Sequence, residues 1–217
     1  DETDRALKRI ESRASRNLLV HVGAYEQDRD GTATHVSEHT RARPGEGAGG
    51  NSSGGKDLPP MGSPVGRELK FRGCDGPPYG CGYYGARRTK PDGTVYEHKG
   101  VDVVAEPGET VQSPVAGTVL EPFDPYRSDP EKQDKLSAVR IKIDGGHVVE
   151  ILYVDSKSAG LKEGDKVEIG IPIGRAQDLS TVYPPVGKTR MTNHVDIRIK
   201  DKNGVYKDPT PLIRGQR

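Results

Sequence analysis

The sequence predicts an all-β domain, an antiparallel sheet of short strands carried behind a long polar front. Two observations lead there. After Cys81 the chain breaks into short β-branched runs separated by Gly, Pro, Asp and Asn. No stretch of that part holds apolar residues at three- and four-residue steps over a useful length. Composition sets the size. Only 31% of the 217 residues are hydrophobic, Trp is absent, and Gly and Pro number 28 and 17, so one core cannot span the whole chain. A domain of roughly 100–150 residues with polar extensions fits.

From the front, residues 3–20 place Ala6, Leu7, Ile10, Ala14 and Leu18 on one face, with Asp1, Glu2 and Asp4 ahead and Arg13 and Arg16 behind. That pattern predicts an amphipathic helix whose charges suit its dipole, packing on the domain or on a partner chain. A short strand is expected over 18–24, and residues 1–43 form an N-terminal extension. Between Pro44 and Gly66, fifteen of twenty-three residues are Gly, Pro or Ser, which predicts a flexible linker. Asn51-Ser52-Ser53 within it matches an N-glycosylation acceptor. The β domain is expected over 67–217.

Cys74 and Cys81 flank a turn-rich loop and predict one local disulfide. The competing half of a zinc site lacks a second Cys or His pair nearby. A start at Asp1 with no apolar leader suits a secreted protein read after processing. No run of about 18 apolar residues occurs, so no membrane-spanning helix is expected. The balance of 33 basic and 32 acidic residues argues against a nucleic-acid partner.

Within the β domain, Ala138–Ile143 and His147–Val154 alternate around Asp144-Gly145-Gly146 and predict a hairpin. Further strands are expected at 100–104, 118–121, 166–169 and 194–200, the last before an Asn203-Gly204 turn. Residues i and i+2 of a strand share a face. His98 and Asp102 therefore point one way, as do His194 and Asp196, and pairing of the two segments would gather two imidazoles and two carboxylates. Such a set suits zinc or a related divalent ion. The bland reading is a polar solvent face. His147, and the patch Arg87, Arg88 and Lys90, are expected to be solvated. His21, His35 and His39 are too scattered for a metal tract. Tyr79, Tyr83, Tyr84 and Tyr96 would pack the cysteine loop or wall a groove.

Four motifs in order, His98-Lys99-Gly100-Val101-Asp102, Val111–Val119, Leu161–Val167 with Ile173-Gly174, and His194-Val195-Asp196, resemble the lysostaphin-type zinc peptidases. Cys74-Asp75, Gly80-Cys81-Gly82, Tyr84 and Ala86-Arg87 are most similar to the leukocyte cell-derived chemotaxin branch. The resemblance covers about 72–213. It implies a compact antiparallel domain whose groove holds zinc on His98, Asp102 and the second His of a His-x-His motif, where this sequence has Asp196. It also implies that His194 is the acid/base group, and that Asp155 stands where active members carry a second histidine. An ionised Asp there would repel an oxyanion that a His stabilises.

The function expected is that of a secreted, non-catalytic peptidase-like domain, a pseudoenzyme with His194 vestigial. It would bind an extracellular protein, receptor or glycan, in a signalling or matrix role, and assemble through its N-terminal segment. The competing expectation is a zinc endopeptidase with an atypical site, cleaving glycine-rich or cell-wall peptides.

Overall fold

The computed structural model describes residues 58–90 and 93–213, together with the backbone of β1 (Tyr25–Gln27) and β2 (Ala33–His35). The helix and strand expected over 3–24, the acceptor Asn51 and residues 44–57 of the linker lie outside the described residues. The chain divides into two compact units, Asp1–Asn51 and Ser52–Arg217. In the first, β1 pairs with β2 in an antiparallel hairpin that the mixed sequence pattern gave no reason to expect.

The second unit begins its strands with β3 (Arg87–Thr89), β4 (Val95–Glu97), β5 (Val101–Val104), β6 (Thr110–Gln112), β7 (Gly117–Phe123) and β8 (Ala138–Lys142). It continues with β9 (Val148–Leu152), β10 (Val154–Asp155), β11 (Lys166–Val167), β12 (Pro172–Ala176), β13 (His194–Lys200) and β14 (Tyr206–Lys207). The larger sheet has the order β11-β7-β8-β9-β13-β14, and β5 also pairs with β13. A smaller sheet, β10-β12-β6, and the β3–β4 hairpin complete it. Every pairing of these strands is antiparallel. The expected strand at 194–200 is β13, and the expected hairpin is β8–β9, closed by Asp144–Gly146 with Gly145 and Gly146 at positive φ.

Alternation along the central strands decides what faces where. Val139, Ile141, Val149, Ile151, Val195, Ile197 and Ile199 all enter the main apolar core. Their neighbours Glu150, Leu152, His194, Asp196 and Arg198 therefore share the opposite face. Each fully buried Val or Ile contributes about 1.5–3 kcal/mol relative to exposure.

Two expectations need correction. Residues 58–66 pack as part of the domain: Met61 and Val65 are 1% and 0% exposed, and the Met61 amide donates to Leu212 O at 2.8 Å. The glycine, proline and serine count hid two core side chains, which suffice to fix a short segment. His147 is buried, at the end of the Asp144–Gly146 turn rather than on a wet strand.

The hairpin strand also breaks earlier than expected. Tyr153 adopts φ 70°, a left-handed conformation costly for a bulky side chain. There the chain leaves the larger sheet at β9 and enters the smaller one at β10. That turn separates Asp155 from the strand face that carries the cluster described next.

Candidate metal centre closed by arginines

Asp102 on β5 lies directly opposite Asp196 on β13. His98 arrives from the turn between β4 and β5, held by its own amide donating to Ala86 O at 2.9 Å. Its Nε2 stands 3.4 Å from Asp102 Oδ1 and 3.2 Å from Asp196 Oδ2. Gly100 makes the approach achievable, because a Cβ there would collide with Asp196 Oδ1 and the Ile197 carbonyl. All three side chains are buried. The structure thus brings together the three residues expected to ligate a metal.

The sequence reasoning missed what surrounds them. Arg72 Nε donates to Asp102 Oδ2 at 2.9 Å, and Arg88 Nη2 donates to the same oxygen at 2.9 Å. Arg198 donates twice to Asp196 Oδ2, from Nε at 3.0 Å and Nη2 at 2.6 Å. Arg88 is therefore not part of a solvated patch, whereas its neighbour Arg87 is exposed. Burial alone would raise the Asp196 carboxyl, but Arg198 and His98 outweigh it and hold the group well below the usual carboxylate range. Only Arg198 had a sequence signal: it follows Asp196 by two residues on the same strand face. Arg72 reaches the site through tertiary packing that no local pattern announces.

The disulfide forms as expected between Cys74 and Cys81, and its loop buttresses the arginines. Gly80 O accepts from Arg72 Nη1 at 3.3 Å, and Cys81 O accepts from Arg88 Nη2 at 2.9 Å. Asp75 accepts from Arg72 Nη1 and from the Thr192 amide and hydroxyl, tying the loop to the approach of β13.

His194 shares the same face. Its Nδ1 proton goes to Thr192 O at 2.7 Å, leaving Nε2 at 3.4 Å from Asp102 Oδ2. Burial pushes its pKa below the usual value and outweighs Asp102, which favours the neutral ring. Asp155 does not join the group. Its carboxylate accepts from the Lys157 amide and caps the turn Ser156–Ala159.

Tyrosines the sequence reading did not single out flank the centre. The ring of Tyr153 meets His194 edge-on at 5.4 Å, and its hydroxyl bonds Tyr126, which in turn bonds Tyr183. Burial raises the pKa of all three phenols, which stay protonated. Of the tyrosines expected at a groove, Tyr83 and Tyr96 are each 42% exposed, whereas Tyr79 is buried with its hydroxyl on Pro184 O.

Three buried acceptors in this centre lack a hydrogen-bond partner: His98 Nε2, Asp102 Oδ1 and Asp196 Oδ1. Two of them, His98 Nε2 and Asp102 Oδ1, stand 3.4 Å apart and call for a cation or a proton between them, while Asp196 Oδ1 lies against Gly100. His98 Nδ1 lies 3.2 Å from Arg88 Nη2 and 3.1 Å from Tyr83 O. Accepting from Arg88 puts the ring proton on Nε2, where it meets Asp196 Oδ2, whereas donating to Tyr83 O leaves Nε2 open as a ligand, an arrangement common in metal sites. His98 and Asp102 therefore fit a divalent ion. Asp196 does not fit as it stands, because the oxygen facing His98 already accepts two N–H groups from Arg198. The set is matched to zinc at two of its three positions.

Residues 96–209 match the family model described as Peptidase family M23. Myeloid protein 1 of Gallus gallus is 30% identical over 148 residues, covering 68% of this chain and 39% of that protein. Leukocyte cell-derived chemotaxin-2 of Bos taurus is 30% identical over 146 residues, covering 66% of this chain and 80% of that protein. The chain therefore spans well under half of the first relative and most of the second. The catalytic domain of the antimicrobial peptidase lysostaphin from Staphylococcus simulans superposes with a TM-score of 0.42 at 20% identity, over 61% of this chain and 88% of that domain.

Proposed function

The chain belongs to Peptidase family M23, and from that premise we propose that it is an extracellular, non-catalytic member whose groove binds a protein, peptide or glycan without cleaving it. The observation that carries this reading is the state of two aspartates, Asp196 where the resemblance implies a metal-binding histidine and Asp155 where it implies a second site histidine. Asp196 is bonded to Arg198, and Asp155 is spent on capping a turn. An active site of this chemistry needs an open cation and a donor poised for the oxyanion. Here no hydrogen bond or ion pair among the described residues joins Asp155 to His98, Asp102 or Asp196, and three guanidinium groups surround two carboxylates. Zinc held on His98, Asp102 and Asp196 would supply a Lewis acid, but it must first displace Arg198.

Extracellular placement is supported by the disulfide, which persists in oxidising compartments. No helix among the described residues is long and apolar enough to cross a membrane. Exposed Tyr83 and Tyr96 offer flat apolar faces with polar tips, suited to stacking on a peptide or sugar. Assembly through the N-terminal extension and glycosylation at Asn51 are further proposals that rest on the sequence pattern alone.

A second reading has one observation in its favour. Burial favours the neutral form of His194, and its Nε2 is turned toward Asp102 in the centre, as an acid/base group in a zinc endopeptidase would be. The test is incubation of the zinc-supplemented chain with glycine-rich and cell-wall peptides, beside His98→Ala. Product at the background rate in both supports the binding reading, whereas hydrolysis lost in His98→Ala establishes the endopeptidase.

A further inference from the structure

We propose that Arg198 is the resident cation of the centre: its guanidinium occupies the Asp196 oxygen that a third metal ligand would offer, so that it competes with a divalent ion rather than supporting one. Three observations converge on this. Asp196 Oδ2 faces His98 Nε2 at 3.2 Å, yet takes both Nε and Nη2 of Arg198 at 3.0 and 2.6 Å, which uses its two lone pairs. Asp196 Oδ1 has no partner and is pressed over Gly100, where no side chain fits. Arg72 and Arg88 already converge on Asp102 Oδ2, so the positive charge of Arg198 adds to two others around a pair of carboxylates.

The geometry distinguishes a competing arginine from an orienting one. An orienting second partner of a carboxylate ligand binds the oxygen turned away from the metal and leaves the near oxygen open. Arg198 does the reverse. Coulomb repulsion acts in the same direction as competition, because a guanidinium this close to a divalent ion opposes it in a partly buried site. Replacement of Arg198 by a neutral side chain therefore frees Oδ2 and removes the repulsion together, and both effects tighten metal binding. Lysine keeps the charge but not the two-pronged contact, so Arg198→Lys belongs between the two.

This inference rests on the reading of the centre as closed by guanidinium groups, and it does not depend on the absence of hydrolysis. The experiment is a zinc titration of the full metal-free chain against a chromogenic chelator, with Arg198→Gln, Arg198→Lys and Arg198→Gln combined with His98→Ala. Arg198→Gln is expected to bind zinc about ten- to a hundredfold tighter than the native chain, the span over which outer-sphere partners usually act. The gain should vanish when His98 is also replaced. Unchanged or weaker binding in Arg198→Gln overturns the proposal and makes Arg198 an orienting partner. Because Arg198→Gln leaves a buried carboxylate unpaired and can fail to fold, the native chain supplies an independent readout. Arginine Nε–H resonances are followed by NMR as zinc is added, and the Arg198 signal should move as the metal site fills. Zinc that fills the site while this signal stays put refutes competition. Peptide cleavage is scored separately on the same samples: tight zinc without cleavage supports both readings, while cleavage removes the non-catalytic reading and leaves Arg198 as its restraint.

Discussion

Asp102 accepts hydrogen bonds from Arg72 and Arg88, and all of these polar atoms are largely shielded from water. Removing one partner of such a group strands the others, which costs more than the pair contributes. Asp102→Asn should therefore destabilise the fold by about 3–5 kcal/mol in urea denaturation, with or without added metal. A loss below about 1 kcal/mol would mean that the arginines find water when released. Two groups titrate with defined signs. His194 has its pKa lowered by burial, so the unfolded chain takes up its proton first as pH falls. Its contribution is complete above its ordinary value near 6.5 and drains away below it. Asp196 is held below its ordinary range, so its contribution is complete above about pH 4 and is lost as pH drops further. The urea midpoint should decline in two stages, and His194→Gln should remove the upper one. An unchanged slope just below pH 6.5 in that variant would assign the stage to another group. At this scale the ligand residues were legible because His, Asp and their strand spacing carry a chemical signature. The arginines were not, because a guanidinium looks the same in sequence whether it faces solvent or a carboxylate 30 residues away, as Arg72 does.

Elements show the same division between local and tertiary signals. β13 and the β8–β9 hairpin were readable because two-residue alternation and an Asp-Gly-Gly turn are local properties. The turn at Tyr153, which sends β10 into the other sheet, was not: nothing in the residue type favours a positive φ there, and tertiary packing imposes it. The cysteine loop is the element that links sequence to site most tightly. Its carbonyls at Gly80 and Cys81 hold Arg72 and Arg88, and Asp75 anchors Thr192 ahead of His194. Replacing both cysteines with serine should cost about 2–3 kcal/mol from the released loop entropy alone. It should also broaden the amide resonances of Thr192 and His194. Sharp, unshifted signals there would show that the loop holds its place without the covalent link. Gly100→Ala tests the opposite face of the site, since its Cβ would drive into Asp196 Oδ1 and the Ile197 carbonyl. Backbone cannot yield as a flexible side chain can, so a loss above about 2 kcal/mol is expected on thermal unfolding, and a stable variant would place β5 and β13 farther apart.

The larger sheet of the second unit has one apolar face and one polar face, and the sequence announced this through the Val195, Ile197 and Ile199 series alternating with His194, Asp196 and Arg198. Its front boundary was misjudged because composition averages over a window, whereas Met61 and Val65 act singly. A chain beginning at residue 52 should keep the stability of the second unit. One beginning at residue 67 should lose about 3–5 kcal/mol with those two buried side chains, and equal melting temperatures would return 58–66 to the linker. On the reading proposed above, the polar face carries His98, Asp102 and Asp196, and guanidinium groups stand where a metal's charge would. The measurement that tests this most directly is the melting temperature of the full chain in excess chelator and again with zinc at a few times the protein concentration. Arginines that already neutralise Asp102 and Asp196 predict midpoints within about 1 °C of each other, since a ligand stabilises only in proportion to its affinity for the folded state. A rise of more than about 5 °C with zinc, abolished by His98→Ala, would correspond to more than 1 kcal/mol of binding. It would mean that the centre is built for a metal after all.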